Sequence, residues 1–144
     1  MRKMTDIEKA KEALIGHTLA LCRDGIVITS DKRGVAPMLD FLREGKRFVG
    51  YSAADRVVGK SAAMLFIKAG IKEIYAGVIS TAAENILLMH GIAVSCAEKT
   101  ERIMNRDKTG LCPMESAVYD TDDIEAGFSV IERKYDEMRK RNFG

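Results

Sequence analysis

In the first third of the chain, the spacing of apolar and polar residues predicts a helix followed by a β-hairpin. Thr5-Asp6-Ile7-Glu8 has the form of a capping box, and apolar residues at helical spacing follow it until Gly16, which is placed to end the helix. Two β-rich runs come next, Thr18–Cys22 and Ile26–Thr29. The pair Asp24-Gly25 between them is typical of tight hairpin turns.

From residue 47 onward the pattern changes to alternating strands and helices. Three near-continuously apolar runs predict strands of a covered parallel sheet: Arg47–Ser52, Glu73–Ile79 and Ile92–Cys96. Helical spacing separates them, over Val57–Ala69 and in the segment that Thr81-Ala82-Ala83-Glu84 opens as a second capping box. Pro37 marks the first turn of an earlier helix. A β-α-β-α-β order predicts parallel strands joined by right-handed crossovers.

The last third of the chain predicts mainly helix. Ala97–Met104 has helical character, Asn105–Leu111 is a polar loop, and Pro113 restarts a short helix. A final helix over about residues 122–141 carries one apolar stripe: Ile124, Phe128, Ile131, Tyr135 and Met138. We interpret this stripe as the face of a helix that docks on the domain; a helix that binds a partner is the alternative.

Composition indicates a single α/β domain spanning residues 1–144. The chain is 47% hydrophobic and 31% charged, with a net charge of +2, which is typical of a globular protein and argues against nucleic acid as a partner. No apolar run approaches the roughly 18 residues of a membrane span, so we expect no membrane association and a cytoplasmic location. Three widely spaced cysteines, Cys22, Cys96 and Cys112, predict reduced thiols.

Three stretches of this sequence resemble an uncharacterised bacterial and archaeal family, a domain of unknown function within the cytidine-deaminase-like superfamily. They are ADRVVGKSAA (Ala54–Ala63), EIYAGVIS (Glu73–Ser80) and NRDKTGLCPMESAV (Asn105–Val118), which contains the motif TGLCPME. The resemblance implies a three-layer α/β/α fold with a mixed five-stranded sheet. It also implies a homo-oligomer.

The zinc site of the deaminases is absent from this sequence. Those enzymes place three metal ligands and a proton-shuttling Glu at two helix starts. Here the matching positions are Val57-Val58-Gly59 and Ser80–Glu84, which lack these groups. No two His or Cys residues have the spacing of a zinc pair, so we expect no metal and no cofactor. A Mg²⁺ ion held through Asp55 or Asp107 remains open.

The segment from Ala54 to Ser61 ends in Gly-Lys-Ser, like the tail of a phosphate-binding P-loop. The first glycine of that motif would fall at Ala54, which disfavours hydrolysis of nucleoside triphosphates. Gly59, Lys60 and Ser61 nevertheless open a helix after a strand, where free N–H groups and an ammonium suit an anion. A solvated Lys60 on an ordinary helix is the alternative.

The loop before Pro113 is the densest polar cluster. Arg106 suits a carboxylate or phosphate, and Thr109 offers a hydroxyl donor. Cys112 is placed to be the N-cap of the next helix, where a thiol can become a nucleophile; a buried, inert thiol is the alternative. Glu115 has the position of an N3 capping carboxylate. Arg33, after the hairpin, either faces the same cleft or is solvated.

These features together predict a small anionic or nucleotide-like ligand, bound between the helix start at residues 55–61 and the loop at residues 105–115. The candidate ligand-binding residues are Asp55, Lys60, Ser61, Arg106, Asp107, Thr109 and Glu115. Whether the protein is an enzyme stays open, with Cys112 as the candidate nucleophile. The competing hypothesis is a non-catalytic, homo-oligomeric interaction protein whose pocket is filled by apolar side chains.

Overall fold

The computed structural model describes residues 3–105 and 110–143, which form a mixed α/β fold around a five-stranded sheet. The elements of these residues are α1 (Asp6–Ala13), β1 (Leu19–Arg23), β2 (Ile26–Ser30), α2 (Ala36–Arg43), β3 (Ser52–Val58), α3 (Lys60–Ala69), β4 (Glu73–Ser80), α4 (Thr81–Met89), β5 (Ala93–Thr100), α5 (Pro113–Ala117) and α6 (Ile124–Phe143). Within that part of the chain, no helix combines the length and the apolar character that crossing a bilayer requires.

The sheet has the order β2-β1-β3-β4-β5, in which the predicted hairpin forms one edge. β1 runs antiparallel to β2 and β3, whereas β3, β4 and β5 are parallel to one another. Asp24 and Gly25 have φ angles of 50° and 81°, which is the left-handed pair that a type I′ hairpin turn requires. The N–H groups of both residues donate to the carboxylate of Asp6, which lowers the pKa of Asp6 and ties α1 to the turn.

Alternate side chains of the strands pack into two separate apolar clusters. Leu19 and Leu21 of β1 belong to a large cluster that also contains residues of α2, α3, α4 and α6. Ala20 and Cys22, which point the other way, belong to a small cluster with Ala10 of α1. The sheet is therefore packed against helices through both sets of strand residues.

Helix α6 docks on this core, as its apolar stripe predicts. Ile131 is fully buried, and the other four stripe residues pack partly buried against the large cluster. Arg43 of α2 fastens the helix further, since its guanidinium lies 3.0 Å from a carboxylate oxygen of Glu132 and 3.0 Å from one of Asp136.

The cysteines are free thiols, in agreement with their spacing.

Two predicted elements are wrong. The third strand is not Arg47–Ser52 but β3, which begins at Ser52 and takes the first two residues of the predicted helix Val57–Ala69. Residues 47–51 turn at Gly50 (φ 80°) and donate backbone hydrogen bonds to the end of α3. The charged pair Asp55-Arg56 interrupts the apolar pattern of β3 and so concealed the strand.

The predicted helix over residues 97–104 is absent. β5 continues to Thr100, because its last three residues, 98–100, pair with residues 78–80 of the parallel strand β4, ending with Thr100 opposite Ser80. Ala97, Glu98 and Lys99 favour helix in isolation, and strand pairing overrides that preference. Similarly, the cap of α4 is Ser80 rather than the predicted Thr81, since the Ser80 hydroxyl accepts the N–H of Ala83.

Asp55 lies in the middle of β3, on the face of the sheet that carries the large cluster. Its cross-strand neighbours are Leu19 and Ala76, both members of that cluster. Loss of hydration in this half-buried position raises the pKa of Asp55 to about 7, although the N–H groups of Arg56 and Val57 oppose the shift.

This raised pKa predicts a pH-dependent stability. Between about pH 4 and pH 7 the unfolded Asp55 is ionised while the folded one is protonated, so the free energy of unfolding falls as pH rises. In Asp55→Asn that contribution disappears. We expect the variant to match the wild type near pH 4 and to exceed its unfolding free energy by about 4 kcal/mol at pH 8, since the pKa of 3.8 in the unfolded chain rises to about 7 on folding.

Urea unfolding at a series of pH values measures this difference. The exposed Asp120→Asn is the matched control and keeps the wild-type slope. If the unfolding free energy of Asp55→Asn changes with pH as steeply as that of the wild type, the raised pKa of Asp55 is contradicted.

Candidate functional site

The N-terminus of α3 is capped by a carboxylate from α5. Oε1 of Glu115 accepts the N–H of Lys60 at 2.5 Å, and Oε2 accepts the N–H of Ser61 at 3.1 Å and its hydroxyl at 2.5 Å. The first N–H groups of a helix have no partner within it and carry partial positive charge. The anion at this helix start is therefore the protein's own Glu115.

Gly59 makes room for this carboxylate. It is the N-cap of α3, with φ −96° and ψ −179°, an extended conformation that any residue adopts. A Cβ atom at this position would clash with both oxygens and with Cδ of Glu115. Glycine is required here by the close approach of the carboxylate, not by a backbone angle. The Gly-Lys-Ser sequence thus serves an internal contact.

The ammonium group of Lys60 is engaged as well. Nζ lies 2.8 Å from Oδ1 of Asp122 and donates to the carbonyl oxygen of Tyr119 at 3.2 Å. Only 9% of the Lys60 side chain is exposed, against 76% of Asp122. Two sets of contacts therefore join the start of α3 to α5 and the residues after it. The N–H groups of α3 donate to Glu115, and the ammonium group of Lys60 contacts Tyr119 and Asp122, which follow α5.

Two clefts flank this contact. The front cleft, of about 440 Å³, lies between the starts of α3 and α4 and is lined by Ser80, Asn85, Arg102 and Tyr119 among others. The back cleft, of about 480 Å³, is lined by residues of β3, α5 and α6 and by the loop that carries Arg33. Both clefts are lined by Glu115 and Ile103. These two side chains form the wall between them.

The front cleft is lined by several polar groups, among them the guanidinium of Arg102 and the carboxylate of its exposed neighbour Glu101. Arg102 is exposed and makes no ion pair within the described residues. Asn85 contributes an amide from α4, and Tyr119 is 59% exposed. The first turn of α4 points its N–H groups toward the same end of the sheet, beyond the carboxyl ends of the parallel strands.

The structure brings together only some of the predicted site residues. Lys60, Ser61 and Glu115 meet, but as partners of one another, and Glu115 caps α3 rather than its own helix α5. Asp55 lines neither cleft. Three further candidates lie outside the described residues: Arg106, Asp107 and Thr109.

Cys112 and Arg33 line the back cleft instead. Cys112 is the N-cap of α5, as predicted, but its side chain makes no capping hydrogen bond and is half-buried. Arg33 does face a cleft, together with Cys112 and Ser61. The thiol therefore lies across the wall from the polar groups of the front cleft.

Sequence reasoning missed Asn85, Arg102 and Tyr119. The rule that ligands gather beyond the carboxyl ends of parallel strands points to the residues after β5. The local sequence hides that signal, because it predicts a helix over residues 97–104 and so places the end of the strand away from Arg102.

No three side chains of His, Cys, Asp or Glu cluster around a common point within residues 3–105 and 110–143. Two of the histidine and cysteine side chains that could bind a metal have other partners instead. Nδ1 of His17 lies 2.7 Å from a carboxylate oxygen of Asp31, and the thiol of Cys22 donates to Asp6 at 3.6 Å.

Comparison with known proteins places this geometry in a family. The model of the domain of unknown function DUF1893 (TM1506) matches residues 9–135. The crystal structure of a DUF1893 family protein from Thermotoga maritima superposes with a TM-score of 0.82 at 24% identity, covering 92% of each chain. That likeness concerns the fold. Curated proteins give no significant match. By the extent of the family match, which spans most of the sequence, this chain belongs to the DUF1893 family.

Proposed function

We propose that this protein binds a small, nucleotide-like anion in the front cleft and that it does so without zinc. The observation that carries the proposal is the cleft itself, an open space of about 440 Å³ into which a guanidinium, an amide and an aromatic ring converge. Pockets of this size with a few convergent polar groups are typical of small-molecule sites. The alternative of a pocket filled by apolar side chains is disfavoured by the same observation.

Each group suits one part of such a ligand. The Arg102 guanidinium pairs with a phosphate through two hydrogen bonds. The N–H groups in the first turn of α4 add partial positive charge beside it. The exposed ring of Tyr119 offers a face on which a nucleobase stacks, and Asn85 offers both a donor and an acceptor to the edge of a base.

The proposal moves the anion away from the helix start that the sequence favours. Glu115 occupies the N–H groups at the start of α3, so the phosphate belongs beside α4 and Arg102. Lys60 also lines the front cleft and contributes positive charge there, although its ammonium pairs with Asp122. Because Leu111 lines the front cleft, we include Arg106, Asp107 and Thr109, which precede it in sequence, among the proposed ligand contacts.

A cytidine-deaminase-like, three-layer fold is part of the same proposal. The strand order β2-β1-β3-β4-β5, with helices after β3 and β4, supports it. The positions matched to the zinc-binding helix starts of deaminases, Val57-Val58-Gly59 and Ser80–Glu84, lack the metal ligands, which supports binding without metal-dependent deamination. Three free thiols support a reducing, cytoplasmic location.

Titration calorimetry with CMP, AMP, the matching nucleosides and inorganic phosphate tests the ligand proposal. We expect at least one monophosphate to bind more tightly than its nucleoside, because the phosphate pairs with Arg102. Arg102→Ala should weaken that binding by tenfold or more, equivalent to about 1.4 kcal/mol. Arg133→Ala, an exposed arginine on α6, is the matched control and should bind normally. Absence of binding across the panel contradicts the proposal.

Self-association is the second candidate, supported by an open part of the sheet. β5 is an edge strand, and Ala93, Ser95 and Ala97, which alternate along it, are exposed. A groove beside them is lined by apolar and by oppositely charged residues: Met4, Glu8, Lys11, Ile15, Arg56 and Tyr75. A surface that combines both charge signs with apolar groups is self-complementary, as a two-fold interface requires.

Light scattering during gel filtration tests this second candidate. We expect the wild type to elute as a dimer or larger oligomer and Ser95→Arg to elute as a monomer, because a bulky cation on the open strand prevents close packing. Asp120→Arg, on a different surface, is the control and should keep the wild-type mass. A monomeric wild type contradicts self-association.

A further inference from the structure

We propose that the back cleft is a second, separate site that binds an amphipathic carboxylate, with an apolar tail inside the cleft and the anionic head at its rim. No step of the front-cleft proposal requires this site. Three observations carry it: an apolar interior, two arginines without acidic partners, and a wall that separates the two clefts.

The interior of the back cleft is apolar and open. Val57 lies near the end of β3, beyond the residues that pair with β1, and 48% of this valine is exposed. Met114 of α5 and Met138 of α6 face the same space of about 480 Å³. Methionine side chains adapt their shape to the ligand, which suits a flexible hydrocarbon tail. An exposed apolar interior of this kind gains stability by excluding water.

The rim supplies positive charge. Arg33 comes from the loop before α2 and Arg139 from α6, and neither makes an ion pair within the described part of the chain. The Arg139 guanidinium lies 5.7 Å from the ring centre of Tyr135, which leaves its hydrogen-bond donors for an anion. Arg43, by contrast, lies near the same Tyr135 ring and is engaged by two carboxylates.

The lining carboxylate does not neutralise this rim. Among the described residues that line the back cleft, Glu115 is the acidic one, and α3 already occupies both of its oxygens. An apolar interior below two unpartnered guanidiniums fits a ligand with one carboxylate and a hydrocarbon tail. A neutral alcohol of the same length would leave the guanidiniums without an anion.

The wall formed by Glu115 and Ile103 makes the site distinct from the front cleft. Arg102 and Tyr119 line only the front cleft, whereas Arg33 and Arg139 line only the back cleft. Different substitutions therefore affect the two sites, and ligand binding at one site can be absent while binding at the other is present.

Protection of Cys112 from alkylation tests the proposal at the site. Cys112 lines the back cleft, so a bound tail shields its thiol, whereas Cys96 on β5 lies outside the cleft and serves as the internal control. With decanoate below its micelle concentration and at about nine-tenths occupancy, we expect N-ethylmaleimide to modify Cys112 roughly tenfold more slowly. The Cys96 rate should be unchanged. Mass spectrometry of the two peptides measures both rates.

Variants and a neutral probe decide which groups recognise the head. Arg33→Ala combined with Arg139→Ala should abolish protection by decanoate, and decanol should protect poorly in the wild type. Arg102→Ala should be protected like the wild type. The proposal is overturned if decanoate gives no protection, if decanol protects equally well, or if Arg102→Ala also abolishes protection.

Discussion

The hydrogen bonds between the Glu115 carboxylate and the start of α3 organise this end of the molecule. A buried carboxylate is costly unless its oxygens are satisfied, and here two N–H groups, the hydroxyl of Ser61 and the helix dipole satisfy them. Gly59 makes the approach possible. Because Glu115 also lines both clefts, the position of α5 and the shapes of both proposed sites depend on this contact.

The division of polar groups between the two clefts is the reason that we propose a different ligand for each. In front, Arg102, Asn85 and Tyr119 offer a phosphate contact, an amide and a ring within one space. Behind, Arg33 and Arg139 stand at the edge of an apolar interior. In this chain, the start of α3 is closed by Glu115, and the start of α4 faces the front cleft.

Local signals predicted much of the fold, whereas the site depends on contacts that such signals do not contain. The predictions of the Asp24-Gly25 turn and of the α6 stripe depend on residues that lie close together in the sequence. Both predictions are confirmed. The contact joins Glu115 to Lys60 and Ser61 of α3, which precede it in the sequence by 55 and 54 residues. Its traces in the sequence, glycine at 59 and a carboxylate at 115, therefore resembled a ligand site and an ordinary cap.

A double-mutant cycle between Gly59→Ala and Glu115→Ala tests the central claim most directly, with the free energy of unfolding measured in denaturant. If the carboxylate fills the space beside Gly59, the alanine at 59 is costly in the wild type and nearly neutral once Glu115 is removed. The account predicts a coupling of about 1–3 kcal/mol between the two substitutions. Effects that add to within about 0.5 kcal/mol would contradict it.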